Sequence, residues 1–269
     1  MPQNSVGFPP AEPGNASGLV GSDRVLAVLA ELARHPVGVG LDELARSLDS
    51  SKSTVHRALA SLRRAGFAAQ NGHGHYLLGD EFLRLAYSNQ EARPEHLRVQ
   101  PVLERLAGRF QETAHYAVLD GRSVVYRAKV DPSVGAMKLT SVIGGRNPAH
   151  CTAVGKMLLA LALPDDHAVR SWVASGPGLE RRTDLTKVDA DDLAQELATI
   201  RVRGYSTEEH ENEVGIGCLA VPVFMSSTSM PSGAISVSAL TYRTPLASLV
   251  AALPDIRTIV GPLSLRAAS

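Results

Sequence analysis

Between Arg46 and Arg64 the chain sets five basic side chains, Arg46, Lys52, Arg57, Arg63 and Arg64, against a single acid, Asp49. Such groups neutralise phosphates, and an arginine can bridge N7 and O6 of guanine. At about 100° per residue, Val55, Leu59 and Leu62 form one apolar stripe, while Ser53, His56, Arg57, Ala60 and Arg64 fall on the opposite side. That outer face is small, polar and cationic, as the major groove of duplex DNA requires. The expected DNA contacts are Lys52, Ser53, Thr54, His56, Arg57, Arg63 and Arg64. Ser53, His56 and Arg57 reach base edges, whereas Lys52 and Arg63 take phosphates. Overall charge adds nothing, because 27 basic residues balance 27 acidic ones, so the signal is local clustering.

Other residues of reactive type assemble less well. Gly215-Ile216-Gly217-Cys218-Leu219-Ala220 fits G-x-G-x-x-A, but a strand follows it, and a dinucleotide turn must open a helix. Val154-Gly155-Lys156-Met157 superficially matches a phosphate loop, with His150 at the first glycine's place and Met157 where Ser or Thr would hold magnesium. Neither G-x-S-x-G nor H-E-x-x-H occurs. Cys151 and Cys218, even with His150 and His210, lack the spacing of a metal or redox site and read as small packing residues. Glu208, Glu209, Glu211 and Glu213 read as a solvated acidic loop, and His73 and His75 as solvent-facing or close to phosphate. No catalytic residue, metal or cofactor is expected. The competing class is an α+β enzyme with an accessory DNA-binding module; turnover of a ligand that alters DNA binding would distinguish it.

The elements that must position these residues follow from periodicity and punctuation. Helices are expected over 23–34, 41–48 and 51–65, then two short strands over 67–70 and 75–78 around Asn71-Gly72-His73-Gly74. Short helix, tight turn, longer basic helix and hairpin make a winged helix-turn-helix. A helix over 99–112 with Pro101 near its start reads as a linker. Strands over 114–119 and 123–130 flank Asp120-Gly121-Arg122, with Tyr116, Val118, Val125 and Ala128 among their alternating residues. Helices over 152–163 and 189–203, and strands over 218–224 and 233–240, complete an α+β domain with a mostly antiparallel sheet. Thr152 is placed to cap its helix, whose free first amides suit an anion. Ser236 and Ser238, two apart on a strand, face one side.

Length and composition agree with two domains: 269 residues, 44% hydrophobic and 20% charged. Residues 1–20 are expected to be a disordered tail, 21–84 the DNA-binding domain, 85–112 the linker helix and 113–269 a ligand-sensing domain. The N-terminal stretch lacks a signal-peptide pattern, the longest apolar run, 157–163, is too short to span a membrane, and two cysteines fit a reducing compartment. Cytoplasm is the expectation.

Ser51-Lys52-Ser53-Thr54-Val55-His56-Arg57-Ala58-Leu59, with Leu62 and Gly66-Phe67, resembles the DNA-binding domain of the IclR family of bacterial regulators. Gly144 to Ala160, then Gly204-Tyr205, Gly217-Cys218-Leu219-Ala220-Val221-Pro222-Val223 and Ala234-Ile235-Ser236-Val237-Ser238, resemble its effector domain in order and spacing. The resemblance implies a GAF-like α/β effector domain, a homodimer through the DNA-binding halves and often a homotetramer through the effector halves. It implies a repressor-type regulator binding an operator under the control of a small-molecule effector. It assigns Leu139, Ala153, Val154, Ile216, Cys218, Ser236 and Ser238 to the effector pocket, with Glu208 at its edge. Both serines and the helix amides would then hold the oxygens of a small carboxylic acid, while Leu139 and Ile216 shelter its carbons. Cys151 departs from the small residue usual there, which bears on the shape of the pocket mouth.

Overall fold

A computed structural model describes residues 21–91, 94–132 and 139–264; the expected tail lies outside them. The chain divides into two compact units, 1–93 and 94–269.

The first unit holds α1 (Gly21–Leu32), α2 (Leu41–Ser47), α3 (Lys52–Arg64), β1 (Ala68–Gln70), β2 (Tyr76–Leu78) and α4 (Asp80–Glu91). Leu32, Leu44, Val55, Leu59 and Leu62 bury the stripes of α1, α2 and α3 against one another and against Tyr76 of the hairpin. The α2–α3 turn passes through Asp49 at φ 43°, and Ser51 then caps α3, its Oγ accepting from the Thr54 amide at 3.2 Å. Across the β1–β2 hairpin, Asn71 Oδ1 accepts from the amides of His73 and His75, and Gly74 takes φ 82°, which glycine adopts without cost.

Where one linker helix is expected, there are two helices. The second, α5 (Pro94–Phe110), starts the second unit and begins five residues earlier than the sequence suggests, leaving Pro101 inside it. Val99, Val102, Leu103 and Leu106 of α5 are buried in that unit's core, so the apolar stripe fixes the helix despite the amide that Pro101 lacks.

The sheet of the second unit has strand order β5-β4-β3-β8-β7-β6, every neighbouring pair antiparallel. Its strands are β3 (Thr113–Asp120), β4 (Ser123–Val130), β5 (Arg146–Pro148), β6 (Ser206–Glu209), β7 (Ile216–Val223) and β8 (Gly233–Leu240). One face packs on α5, α9 (Leu246–Ala251) and α10 (Leu253–Val260) through Tyr116, Ala128, Leu219, Val221, Ile235 and Val237. The other packs on α6 (Ala153–Ala162) and α8 (Ala190–Arg203) through Ala117, Tyr126, Cys218, Ala220 and Ala234, with α7 (Asp166–Ala174) beside α8. Tyr116 pairs with Ala128 and Ala117 with Tyr126, so Arg127 is an extra residue, a β-bulge. The bulge is why Val125 and Ala128, an odd number apart, both lie on the strand positions facing α5.

Candidate functional site

On α3, Lys52, Ser53, His56, Arg57, Arg63 and Arg64 are exposed, and Thr54 is half-buried with its hydroxyl 2.9 Å from Ser51 Oγ. Three of the cations have neighbours, Arg64 Nη2 donating to Ser61 Oγ at 3.1 Å within the helix. Lys52 Nζ lies 2.8 Å from Asp42 Oδ1, a solvent-exposed pair of small energetic weight that a phosphate can replace. Arg63 Nη1 donates to Gln70 Oε1 at 3.1 Å, and Gln70 Nε2 donates to Gly74 O at 3.1 Å, tying the end of the basic helix to the hairpin tip. Among the described residues the Arg57 guanidinium is left to solvent, only its backbone carbonyl being used, by Ser61. A cationic helix face next to a two-stranded wing is the geometry that enters a major groove.

In the second unit a cavity of about 160 Å³ lies on the α6 side of the sheet. All eight residues expected at an effector pocket line it: Leu139, Ala153, Val154, Glu208, Ile216, Cys218, Ser236 and Ser238. Thr152 caps α6 as the sequence suggests, its Oγ1 accepting from the Gly155 amide at 3.1 Å. The sequence reading missed His115, Ser141, Tyr126, Asn147 and Asn212, which also line the cavity. For His115 a signal existed: a polar residue on the alternate of β3 that faces the same side as Ala117. The ring is 2% exposed; its Nε2 is 2.7 Å from Ser141 Oγ and its Nδ1 is 3.2 Å from Ser238 Oγ, which lies 3.4 Å from Ser236 Oγ. The serines thus bond to each other and to a buried imidazole. Burial, helped by the Lys129 ammonium, lowers the His115 pKa from 6.5 to about 3, so the ring is neutral. The unfolded chain takes up a proton that the folded one refuses. Stability contributed by this site is therefore expected to fall as pH drops from about 6.5 toward 3, and His115→Gln should flatten that slope in urea titrations run across the range.

Two expectations are corrected. Glu208 and Glu211 are not part of a solvated loop: they are 2% and 6% exposed. Burial raises the Glu208 carboxyl to about 7 although Cys218 Sγ donates to it at 3.1 Å and the amides of Glu211 and Asn212 at 3.1 and 3.4 Å. Glu211 is buried because it meets Lys156 of α6, whose Nζ lies 2.5 Å from Glu211 Oε1 and 3.4 Å from Glu196 Oε1. That pairing, with a partner 55 residues away in the chain, is invisible to a local charge count. Cys151 is fully buried, as a packing residue should be, and it does not line the cavity, so it has no bearing on the shape of the mouth; its Sγ is 3.5 Å from Pro148 O, and burial pushes its thiol up to about 12. His150 is turned to the Glu180 carbonyl at 2.9 Å. Among the described residues no cluster of three or more His, Cys, Asp or Glu is arranged to hold a metal.

A winged helix-turn-helix with an exposed basic face and an α/β unit enclosing a small, partly polar cavity define a DNA-binding regulator with a ligand domain. The family described as "IclR helix-turn-helix domain" matches residues 22–72, and that described as "Bacterial transcriptional regulator IclR C-terminal" matches 96–264. A Haemophilus influenzae protein described as an uncharacterized HTH-type transcriptional regulator is 30% identical over 90% of each chain. The transcriptional repressor IclR of Escherichia coli is 32% identical over 80% of this chain and 78% of its own. In fold, the crystal structure of Thermotoga maritima IclR aligns with a TM-score of 0.74 at 23% identity, covering 91% of this chain and 98% of that one. The chain belongs to the IclR family of bacterial transcriptional regulators.

Proposed function

We propose that this regulator binds its operator as a homodimer or homotetramer in the cytoplasm, and that a small organic acid in the cavity beneath α6 controls operator affinity, with no chemical turnover. The observation that carries the reading is the meeting, in one cavity, of the capped N-terminus of α6 with the buried hydroxyls of Ser236 and Ser238. Helix amides and hydroxyls are the donors that a desolvated carboxylate needs, and Leu139 and Ile216 supply apolar cover. A relative of the same fold, 22% identical, is complexed with 4-hydroxybenzoate, which makes that acid a natural first member of a ligand panel.

Thermal-shift screening of small organic acids tests the reading, since a ligand of the native state alone raises the melting temperature. For an acid that binds, Ser236→Ala and Ser238→Ala should each cost about 1.5–3 kcal/mol, tenfold or more in affinity by calorimetry, with ligand-free operator binding intact. Two mutants that respond like the parent would move the pocket elsewhere.

On the DNA side, Arg57 is assigned to a base edge or the adjacent phosphate and Arg63 to a phosphate. Arg57→Ala should cost roughly 1–3 kcal/mol of specific binding. Arg63→Ala should weaken all sequences alike and flatten the salt slope by about one unit in gel-shift titrations. A folded Arg57→Ala protein with full operator affinity would remove Arg57 from the interface.

A further inference from the structure

The serine pair has a partner that the capture of a carboxylate does not by itself require. His115 Nδ1 faces Ser238 Oγ at 3.2 Å, and its Nε2 faces Ser141 Oγ, on the loop leading from Leu139, at 2.7 Å. A neutral imidazole carries one N–H and one lone pair, so this chain of hydrogen bonds can run in only two directions. In one, Ser141 donates to Nε2 and Nδ1–H donates to Ser238, whose own hydrogen is then free for the cavity. In the other, Ser238 spends its hydrogen on Nδ1 and offers the cavity only lone pairs.

The surroundings choose between them. Lys129 Nζ donates to Leu139 O at 2.9 Å and to Ser141 O at 2.8 Å, with Asp131 3.1 Å away as its counter-ion. The ammonium therefore stands at the Ser141 end of the imidazole, where it favours a lone pair over an N–H, and its effect on the ring outweighs the opposing one of the Asp131 carboxylate. We propose that His115 is a specificity-determining residue: held in the Nδ1–H form by Ser141 and Lys129, it turns the Ser236–Ser238 hydroxyls into donors and so commits the cavity to ionised carboxylates over the matching carboxamides. This deepens the organic-acid reading and rests on it. Ser141 and Lys129 act as positioning residues, exerting their effect on the serine pair through the imidazole. A carboxylate only accepts, so it is served when the serines exchange their mutual 3.4 Å contact for it and both donate. A carboxamide in the same place presents an NH₂ that those donors cannot satisfy, and a buried polar group left unpaired is costly.

The test uses the full-length protein labelled with ¹⁵N-histidine. Among its nine histidines the His115 signals are assigned by their loss in His115→Gln. The expected spectrum without ligand is the neutral Nδ1–H tautomer, Ser141→Ala should convert it to Nε2–H, and Ser141→Thr, which keeps the hydroxyl, should restore it. An Nε2–H ring in the parent, or a tautomer indifferent to Ser141→Ala, overturns the proposal. Calorimetry with benzoate against benzamide, and propionate against propionamide, supplies the second arm. The parent should prefer an acid over its amide by about tenfold or more, and Ser141→Ala should lose most of that preference while Ser141→Thr keeps it. Equal affinity for acid and amide in the parent also overturns it. Absence of binding by any organic acid in the wider screen sinks the organic-acid reading, and with it the selectivity claim, irrespective of the tautomer that the spectra report.

Discussion

Lys156→Leu is expected to destabilise the second unit by about 3–5 kcal/mol, because it leaves the Glu211 carboxylate buried without its cation. Lys156 is fully buried, and Glu211 Oε2 has no hydrogen-bond partner to fall back on. Glu196 is less exposed to the loss, since Lys187 lies 2.7 Å and Arg203 3.5 Å from it. At roughly 2–4 °C per kcal/mol for a unit of this size, the melting temperature should drop by about 10 °C or more. Pairing the change with Glu211→Gln should recover a large part, because the penalty comes from the orphaned charge more than from the lost attraction. Urea and thermal unfolding of the two single mutants and the double mutant decide the matter. A single mutant within about 1 kcal/mol of the parent, or no recovery in the double, would show that the pair does not hold the end of β6, with Glu208, and the loop after it, with Asn212.

Leu59→Ala should be as damaging to the first unit, by about 2–5 kcal/mol, since Leu59 is fully buried where the stripes of α1, α2 and α3 converge. That unit is small, and small units have little stability to lose. Operator binding at 37 °C should vanish in gel shifts, while the effector unit retains its unfolding transition and its response to ligand. Loss of both transitions together would mean that the two units fold as one, against the division at residues 93 and 94.

Legibility followed the range of the interactions. The recognition helix was readable because its stripe, Ser51 cap and basic face are local: α3 spans Lys52–Arg64 within an expected 51–65. The hairpin at Gly121 and Arg122 was readable for the same reason, and so was the Thr152 cap of α6. Pro101 misled, since it reads as a helix start, whereas burial of Val99 and Val102 on either side carries α5 through it. The eight cavity residues came from a family pattern rather than from periodicity. His115 was legible only as a polar residue on the inward alternate of β3, and Ser141 and the Lys156–Glu211 pair escaped because their roles exist only after distant strands and helices are brought together. Charge counted along the chain made Glu211 a surface residue, and charge counted in space makes it a core one.

The central pairing of the sheet joins β3 to β8, with His115 opposite Ser236, about 120 residues apart in sequence. During synthesis at about 5–20 residues per second, the DNA-binding unit is complete many seconds before β8 leaves the ribosome. Until it does, β3 lacks one neighbour, and the cavity lacks the wall that carries its serines. A message truncated before β8 would therefore yield a chain with an intact operator-reading head and no means of hearing its effector. Premature stop codons that fall after the DNA-binding unit and before β8, which begins at Gly233, should behave as signal-blind alleles rather than simple nulls, wherever the shortened product survives proteolysis.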